Sequence, residues 1–189
     1  MIISARTYHG IAILRGVLLR VVARFFFANL RVGRGVRVWG KVTIVCDGSV
    51  IIHPGASLGQ GVYIQAIKGA SVQVGEGSSL NTACHVVAMK SISIGSGTMI
   101  GEFTSIRDAD HVVDRGGKGK YLIAPVSIGA GAWIGRGCFI GRNASIPDYC
   151  TIGANSIVRA QLAESGTYVG CPVRRVKKEM TVDEGSRRK

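Results

Sequence analysis

The sequence predicts an all-β chain, a parallel β-helix built from hexapeptides, with an N-terminal helix and a short C-terminal helical tail. Three observations within residues 128–158 carry that prediction. An aliphatic residue returns at every sixth position: Ile128, Ile134, Ile140, Ile146, Ile152 and Val158. The next residue is Gly129, Gly135, Gly141 or Gly153, with Pro147 and Arg159 in the other two places. Four positions after each aliphatic stands a small side chain, at Ala132, Cys138, Ala144, Cys150 and Ser156. Helices repeat every 3.6 residues and half-buried strands every 2, so neither explains a strict six. Stacked hexapeptides do, each forming one short strand and one corner. The aliphatic residue points inward, glycine suits corner angles that a Cβ opposes, and the small residue fits a narrow interior.

Taken in order, residues 1–31 read as an amphipathic helical segment. Arg15, Arg20, Arg24 and Arg31 interrupt the apolar run over 10–31, which argues against a transmembrane helix and a signal peptide. At 100° per residue, Arg20, Arg24 and Arg31 share one side of such a helix. Two roles compete: a cap on the β-helix or a neighbouring subunit, and a peripheral contact with an anionic membrane through Phe25-Phe26-Phe27. The β-helix is expected over 32–172. Its beat runs through Val32, Val38, Ile44 and Val50, then Ile52, Leu58 and Ile64, then Val74, Leu80 and Val86, then Ile94, Ile100 and Ile106. Three hexapeptides per turn make roughly six turns. From Ile106 to Ile128 the separation is 22 residues, not a multiple of six, so a loop over 107–127 leaves the stack. A basic tail over 173–189 closes the chain.

With 189 residues the chain has enough material for one full core. Of five cysteines, Cys84, Cys138 and Cys150 fall on the small-residue slot and read as packing residues in a reducing, cytoplasmic setting. The formal charge of +13, from 24 basic and 11 acidic residues, favours polyanionic partners such as phosphate-bearing cofactors or anionic lipid. Nucleic acid is disfavoured, because basic residues gather at the two ends without interleaved aromatics.

The run from Ile128-Gly129 to Val158, with Trp133-Ile134-Gly135 and Tyr168-Val169-Gly170-Cys171-Pro172, resembles the hexapeptide-repeat acyltransferases. Among them it is most similar to the sugar and cell-surface polysaccharide O-acetyltransferases. The resemblance covers residues 74–178 well and 32–73 by period alone. It implies a left-handed β-helix, a homotrimer, and acetyl-CoA held between neighbouring subunits.

Binding and catalytic groups concentrate on loops carried by a rigid scaffold, which directs attention to Asp108-Ala109-Asp110-His111. Acetyl transfer to a hydroxyl needs a base, and histidine's ordinary pKa of about 6.5 suits that task. The resemblance implies that His111 is this base, with Asp108 or Asp110 orienting the imidazole. Asn81 and His85 are the acceptor-binding candidates. Acetyl-CoA contacts are expected from Trp133, Gly135, Arg136, Gly141, Gly153, Ala154 and Arg159, and from Arg174 and Lys177 at the nucleotide end, where guanidinium and ammonium suit phosphate. No metal is expected, since a zinc site on this scaffold needs three histidines and only His85 and His111 are suitably located. The expected function is O-acetylation of a sugar or glycan acceptor, free or lipid-linked, in the cytoplasm or peripherally on the inner membrane. The alternatives are an N-acetyltransferase of an amino or nucleotide sugar and a non-catalytic β-helix subunit.

Overall fold

A computed structural model describes residues 5–112 and 120–176. After the N-terminal helix, Ala5–Phe26, short parallel strands wind as coils around a triangular prism, one strand per face in each coil. The first face stacks Leu30–Val32, Ser49–Ile52, Ser71–Val74, Ser91–Ile94, Val126–Ile128 and Ser145–Ile146. The second stacks Arg37–Val38, Ser57–Leu58, Ser79–Leu80, Met99–Ile100, Trp133–Ile134, Thr151–Ile152 and Thr167–Val169. The third stacks Thr43–Cys46, Tyr63–Ala66, His85–Ala88, Ser105–Arg107, Phe139–Ile140 and Ile157–Val158. Six coils are complete and a seventh is begun. This is the parallel β-helix that the period predicts, in the left-handed class that the resemblance implies.

The predicted beat is the core. Behind the second face, Val38, Leu58, Leu80, Ile100, Ile134 and Ile152 stack in register and are buried. Behind the third, Ile64, Val86, Ile106, Ile140 and Val158 do the same. The small slot is buried too. Cys84, Cys138 and Cys150 are buried free thiols, and burial pushes the Cys84 thiol up to about 11. Where the slot holds a hydroxyl, it finds a carbonyl in the next coil: Ser78 Oγ donates to Gly95 O at 2.7 Å and Thr98 Oγ1 to Gly129 O at 2.7 Å. Each pairing removes the cost of an unsatisfied buried group.

The glycine after the aliphatic has a different reason from the expected one. It does not carry the left-handed backbone angle; that falls two positions later, at Gly131, Gly137, Asn143, Tyr149 and Asn155, with φ between 56° and 66°. The glycine is required by proximity. A Cβ on Gly129 would lie 2.4 Å from Asp148 N, and one on Gly135 would lie 2.6 Å from Ala154 N. Adjacent coils could not stack at that distance with a side chain between them.

Both ends depart from expectation. The helix stops at Phe26, and Arg31 lies in the strand Leu30–Val32, paired with Ser49–Ile52. Arg31 therefore cannot share a helical face with Arg20 and Arg24. The helix lies on the first coil through small residues: Ala12 and Ala23 are buried, and a Cβ on Gly16 would overlap the Val36 carbonyl. At the other end, the expected helical tail begins as a strand. Arg174–Arg175 turns back antiparallel onto Thr167–Val169 and covers the open edge of the second face, where an unpaired ladder would invite association. Lys177 and the rest of the tail lie outside the described residues.

Candidate active site

The predicted excursion leaves the prism at the corner between the third and first faces, between the fourth and fifth coils. Its described residues form the two antiparallel strands of a hairpin, Ala109–His111 paired with Tyr121–Ile123. His111 stands opposite Tyr121, their ring centroids 4.5 Å apart, and its imidazole is exposed.

Both aspartate carboxylates have hydrogen-bond partners elsewhere. Asp108 is fully buried, and its Oδ1 and Oδ2 accept the backbone N–H groups of Met89 and Lys90, each at 2.7 Å. It anchors the base of the hairpin to the coil above. Asp110 neighbours His111 on a strand, so the two side chains project to opposite sides. Its Oδ2 accepts from Arg159 and, at 3.3 Å, from Arg142. Partial desolvation raises its pKa, but the two guanidinium groups outweigh that and hold the carboxyl below the usual carboxylate range. The two carboxyl groups thus provide two kinds of anchorage, one buried and one ionic.

The second face carries a groove of about 550 Å³. The exposed Met99 and Trp133 side chains supply its apolar walls, and Gly135, Arg136, Gly153 and Ala154 line the corner toward the third face. Asn81 and Ser79 close its upper end. Arg136 is paired with Glu102 at 3.4 Å and lies over the Phe103 ring. Five of the expected cofactor contacts, Trp133, Gly135, Arg136, Gly153 and Ala154, therefore meet at one concave surface.

The others do not. Gly141 and Arg159 belong to the corner that carries the hairpin, where Arg159 is committed to Asp110 and lies over Phe139. Arg174 stands on the strand appended to the lower end of the second face, its guanidinium donating to Val173 O at 3.1 Å. His85 begins a third-face strand and stacks on Tyr63, ring centroids 5.5 Å apart, at the end of that face away from the hairpin. Within one chain, then, His111 and the groove lie on opposite sides of the prism: the hairpin springs from the corner facing away from the second face.

Sequence reasoning missed Arg142 and Tyr121. Arg142 follows the Ile140-Gly141 beat in the fifth coil, and only stacking brings it under Asp110, 32 residues earlier. Tyr121 is set by the hairpin register, for which the period carries no signal. Among the described residues, no group of three or more His, Cys, Asp or Glu side chains is arranged to hold a metal ion.

Comparison with known proteins fits this architecture. The bacterial transferase hexapeptide (six repeats) family matches residues 131–161. The chain is 26% identical over 184 residues to WbbJ of Escherichia coli strain K12, assigned to lipopolysaccharide biosynthesis as an O-acetyl transferase; the match spans 89% of this chain and 87% of that one. It shares the fold of the polysialic acid O-acetyltransferase OatWY at a TM-score of 0.67, with 19% identity, covering 84% of this chain and 80% of that one. It also shares the fold of AntD, an N-acyltransferase from Bacillus cereus solved with dTDP and coenzyme A, at a TM-score of 0.56 and 19% identity, over 77% and 82% of the two chains. Repeat and coil thus agree: the chain carries the hexapeptide repeat of the bacterial transferases over residues 131–161 and is similar to an O-acetyl transferase along most of its length.

Proposed function

We propose that the chain is an acetyl-CoA-dependent O-acetyltransferase acting on a sugar hydroxyl in cell-surface polysaccharide biosynthesis, with His111 as general base. The observation that carries this reading is the opposed position of hairpin and groove. A solitary chain has the base on one side and the apolar groove on the other. A ring of three copies sets the hairpin of one against the second face of the next, and the site is completed at each of three interfaces. In that site the acyl arm of the donor lies along Met99 and Trp133, with Gly135 and Gly153 permitting close approach of its amide groups.

His111 then takes the proton from the acceptor hydroxyl as its oxygen attacks the thioester carbonyl. Backbone N–H groups stabilise the oxyanion of the tetrahedral intermediate. Collapse breaks the carbon–sulfur bond, and the imidazolium returns its proton to the departing thiolate. The ester product and the free thiol balance the reaction. Arg174 and Lys177 are assigned to the phosphates of the donor.

Calorimetric titration with acetyl-CoA tests the donor without a guess about the acceptor. Micromolar binding by wild type and His111→Ala alike supports the reading, and no binding near millimolar rejects it. Analytical ultracentrifugation tests the trimer; a monomer at working concentration leaves the site incomplete. Acetylation of an amino sugar but no hydroxyl acceptor would instead make it an N-acetyltransferase.

A membrane contact has its own support. The helix turns its large apolar residues outward, Leu14, Val17, Leu18 and Val21 along one row and Phe25 and Phe26 at 76% and 77% exposure. Arg15, Arg20 and Arg24 are exposed beside them, and among the described residues no helix is long and apolar enough to cross a bilayer. Such a face, apolar with a cationic rim, suits an anionic lipid surface. Co-sedimentation with phosphatidylglycerol vesicles should be lost on combining Phe25→Ser and Phe26→Ser. Equal sedimentation of the variant would remove the contact.

A further inference from the structure

The groove of the second face does not stop at Asn81. Above it lies a second hollow of about 400 Å³, sharing Ser79 and Asn81 with the first and reaching the N-terminal helix at Tyr8. Its wall is Trp39, at the end of the first coil's second-face strand. The indole is fixed in place: Nε1 donates to Ser57 Oγ at 2.6 Å, and the Tyr8 hydroxyl donates to the Trp39 carbonyl at 2.6 Å. The Tyr8 and His9 rings flank it, with centroids 5.4 and 5.5 Å away. A side chain held from three directions is a preorganised surface that loses little freedom when a ligand arrives.

The two hollows differ in chemistry. The lower one has apolar walls and the Arg136–Glu102 pair. The upper one is lined by aromatic, hydroxyl and amide side chains, among them Gln60, Asn81 and Thr82, and among the described residues its lining holds no carboxylate, guanidinium or ammonium group. Asn81 Oδ1 accepts the Thr82 N–H at 2.8 Å, and its amide N–H₂ is directed to no other described residue. A pyranose has what this surface lacks: a face of C–H groups to lie on an aromatic ring and hydroxyls to pair with neutral amides. An anionic sugar would meet no cation there, and its desolvation would go uncompensated.

We propose that this hollow is the acceptor subsite for an uncharged pyranose, with Trp39 as its platform and Gln60 and Asn81 as partners for its hydroxyls. The proposal rests on reading the lower groove as the donor site, since Ser79 and Asn81 are then where acceptor and acyl group meet. Trp39 and Trp133 stand on the first and fifth coils, about 19 Å apart along the axis at ~4.8 Å per coil. That leaves room for an acceptor of more than one ring above the reacting centre.

The chain's two tryptophans, Trp39 and Trp133, provide separate reporters of the two compartments. In full-length Trp133→Phe, Trp39 is the sole indole. Titration with maltose, galactose and N-acetylglucosamine should change its emission saturably in the millimolar range for at least one sugar. Gln60→Ala added to that variant should weaken the response about fivefold, the effect of one lost hydrogen bond, with an unchanged melting curve. In Trp39→Phe, acetyl-CoA should change the emission of Trp133. Indifference of Trp39 to all three sugars overturns the proposal, even if Trp133 answers acetyl-CoA. A response to a sialic acid oligomer but to no neutral sugar overturns it as well. A silent Trp133 beside a responsive Trp39 rejects the donor reading and leaves the sugar subsite standing.

Discussion

The interior of the coils and the hairpin of Ala109–His111 and Tyr121–Ile123 are made of the same short strands, yet different forces hold them. Inside the prism each aliphatic lies on its counterpart one coil away, and burial of apolar surface acts on every rung. The hairpin buries little. Tyr121, Leu122 and Ile123 are exposed, and its attachments are two backbone N–H groups bonded to Asp108 and two guanidiniums bonded to Asp110. Repetition therefore secures the scaffold, whereas individual polar contacts secure the element that departs from it. A change to the scaffold should appear in stability, and one to the hairpin in rate.

The sharpest separation is expected from His111→Ala. It should lower kcat by about 10²–10⁴-fold, the usual worth of a general base, while acetyl-CoA affinity and Tm stay near wild type. Retention of most activity would assign the chemistry elsewhere. Ile134→Ala is the converse change. Removing a fully buried rung of the second-face column should cost about 2–5 kcal/mol, measured by urea denaturation. A loss under about 0.5 kcal/mol, the range of surface changes, would mean the column is not the source of stability.

Asp108→Ala falls between the two. It leaves the Met89 and Lys90 N–H groups without acceptors in a buried setting, at about 2–3 kcal/mol, and also frees the base of the hairpin. Activity measured well below Tm should fall with stability here, while Asp108→Asn, which keeps one acceptor oxygen, should lose less of both.

The smallest effect is expected at Asp110, whose carboxyl is held below its ordinary range by Arg159 and Arg142 against partial desolvation. A depressed carboxyl contributes stability that is present above its unfolded pKa, about 3.9, and is lost as pH falls through its lower folded value. The clamp is therefore intact at neutral pH and opens only in acid. Hydrogen exchange of residues 109–111 should be slower in wild type than in Asp110→Asn near pH 7, with the difference closing below about pH 4. A constant difference down to pH 2 would remove the ionic clamp as the cause.

Much of this comparison was legible in the sequence, because a period of six marks the inward residues and its interruption marks the excursion. Ile128, Ile134 and Ile140 identified the columns, and the gap before Ile128 located His111. What stayed hidden depends on contacts between coils. The period could not tell whether Gly129 served a backbone angle or a close approach, since both require the same residue. It could not assign Asp108 to the interior, because its partners lie on the preceding coil, 18 and 19 residues away. Nor could it foresee that Arg159, expected at the donor, would be taken by Asp110. The start of the tail was hidden for a related reason: the open edge beside Thr167–Val169 supplied a strand partner for Arg174–Arg175.

One consequence follows from the strict stacking of the coils. Every outward side chain has an address with two coordinates, a face and a whole number of steps of ~4.8 Å along the axis. Distances between functional groups in such a chain are therefore digital. Gaining or losing one coil between Trp39 and Trp133 would lengthen or shorten the span between them by one step, with every rung still in register. Change of ligand size can then proceed by insertion or deletion of about eighteen residues, a route that a fold with a continuous, irregular core does not offer.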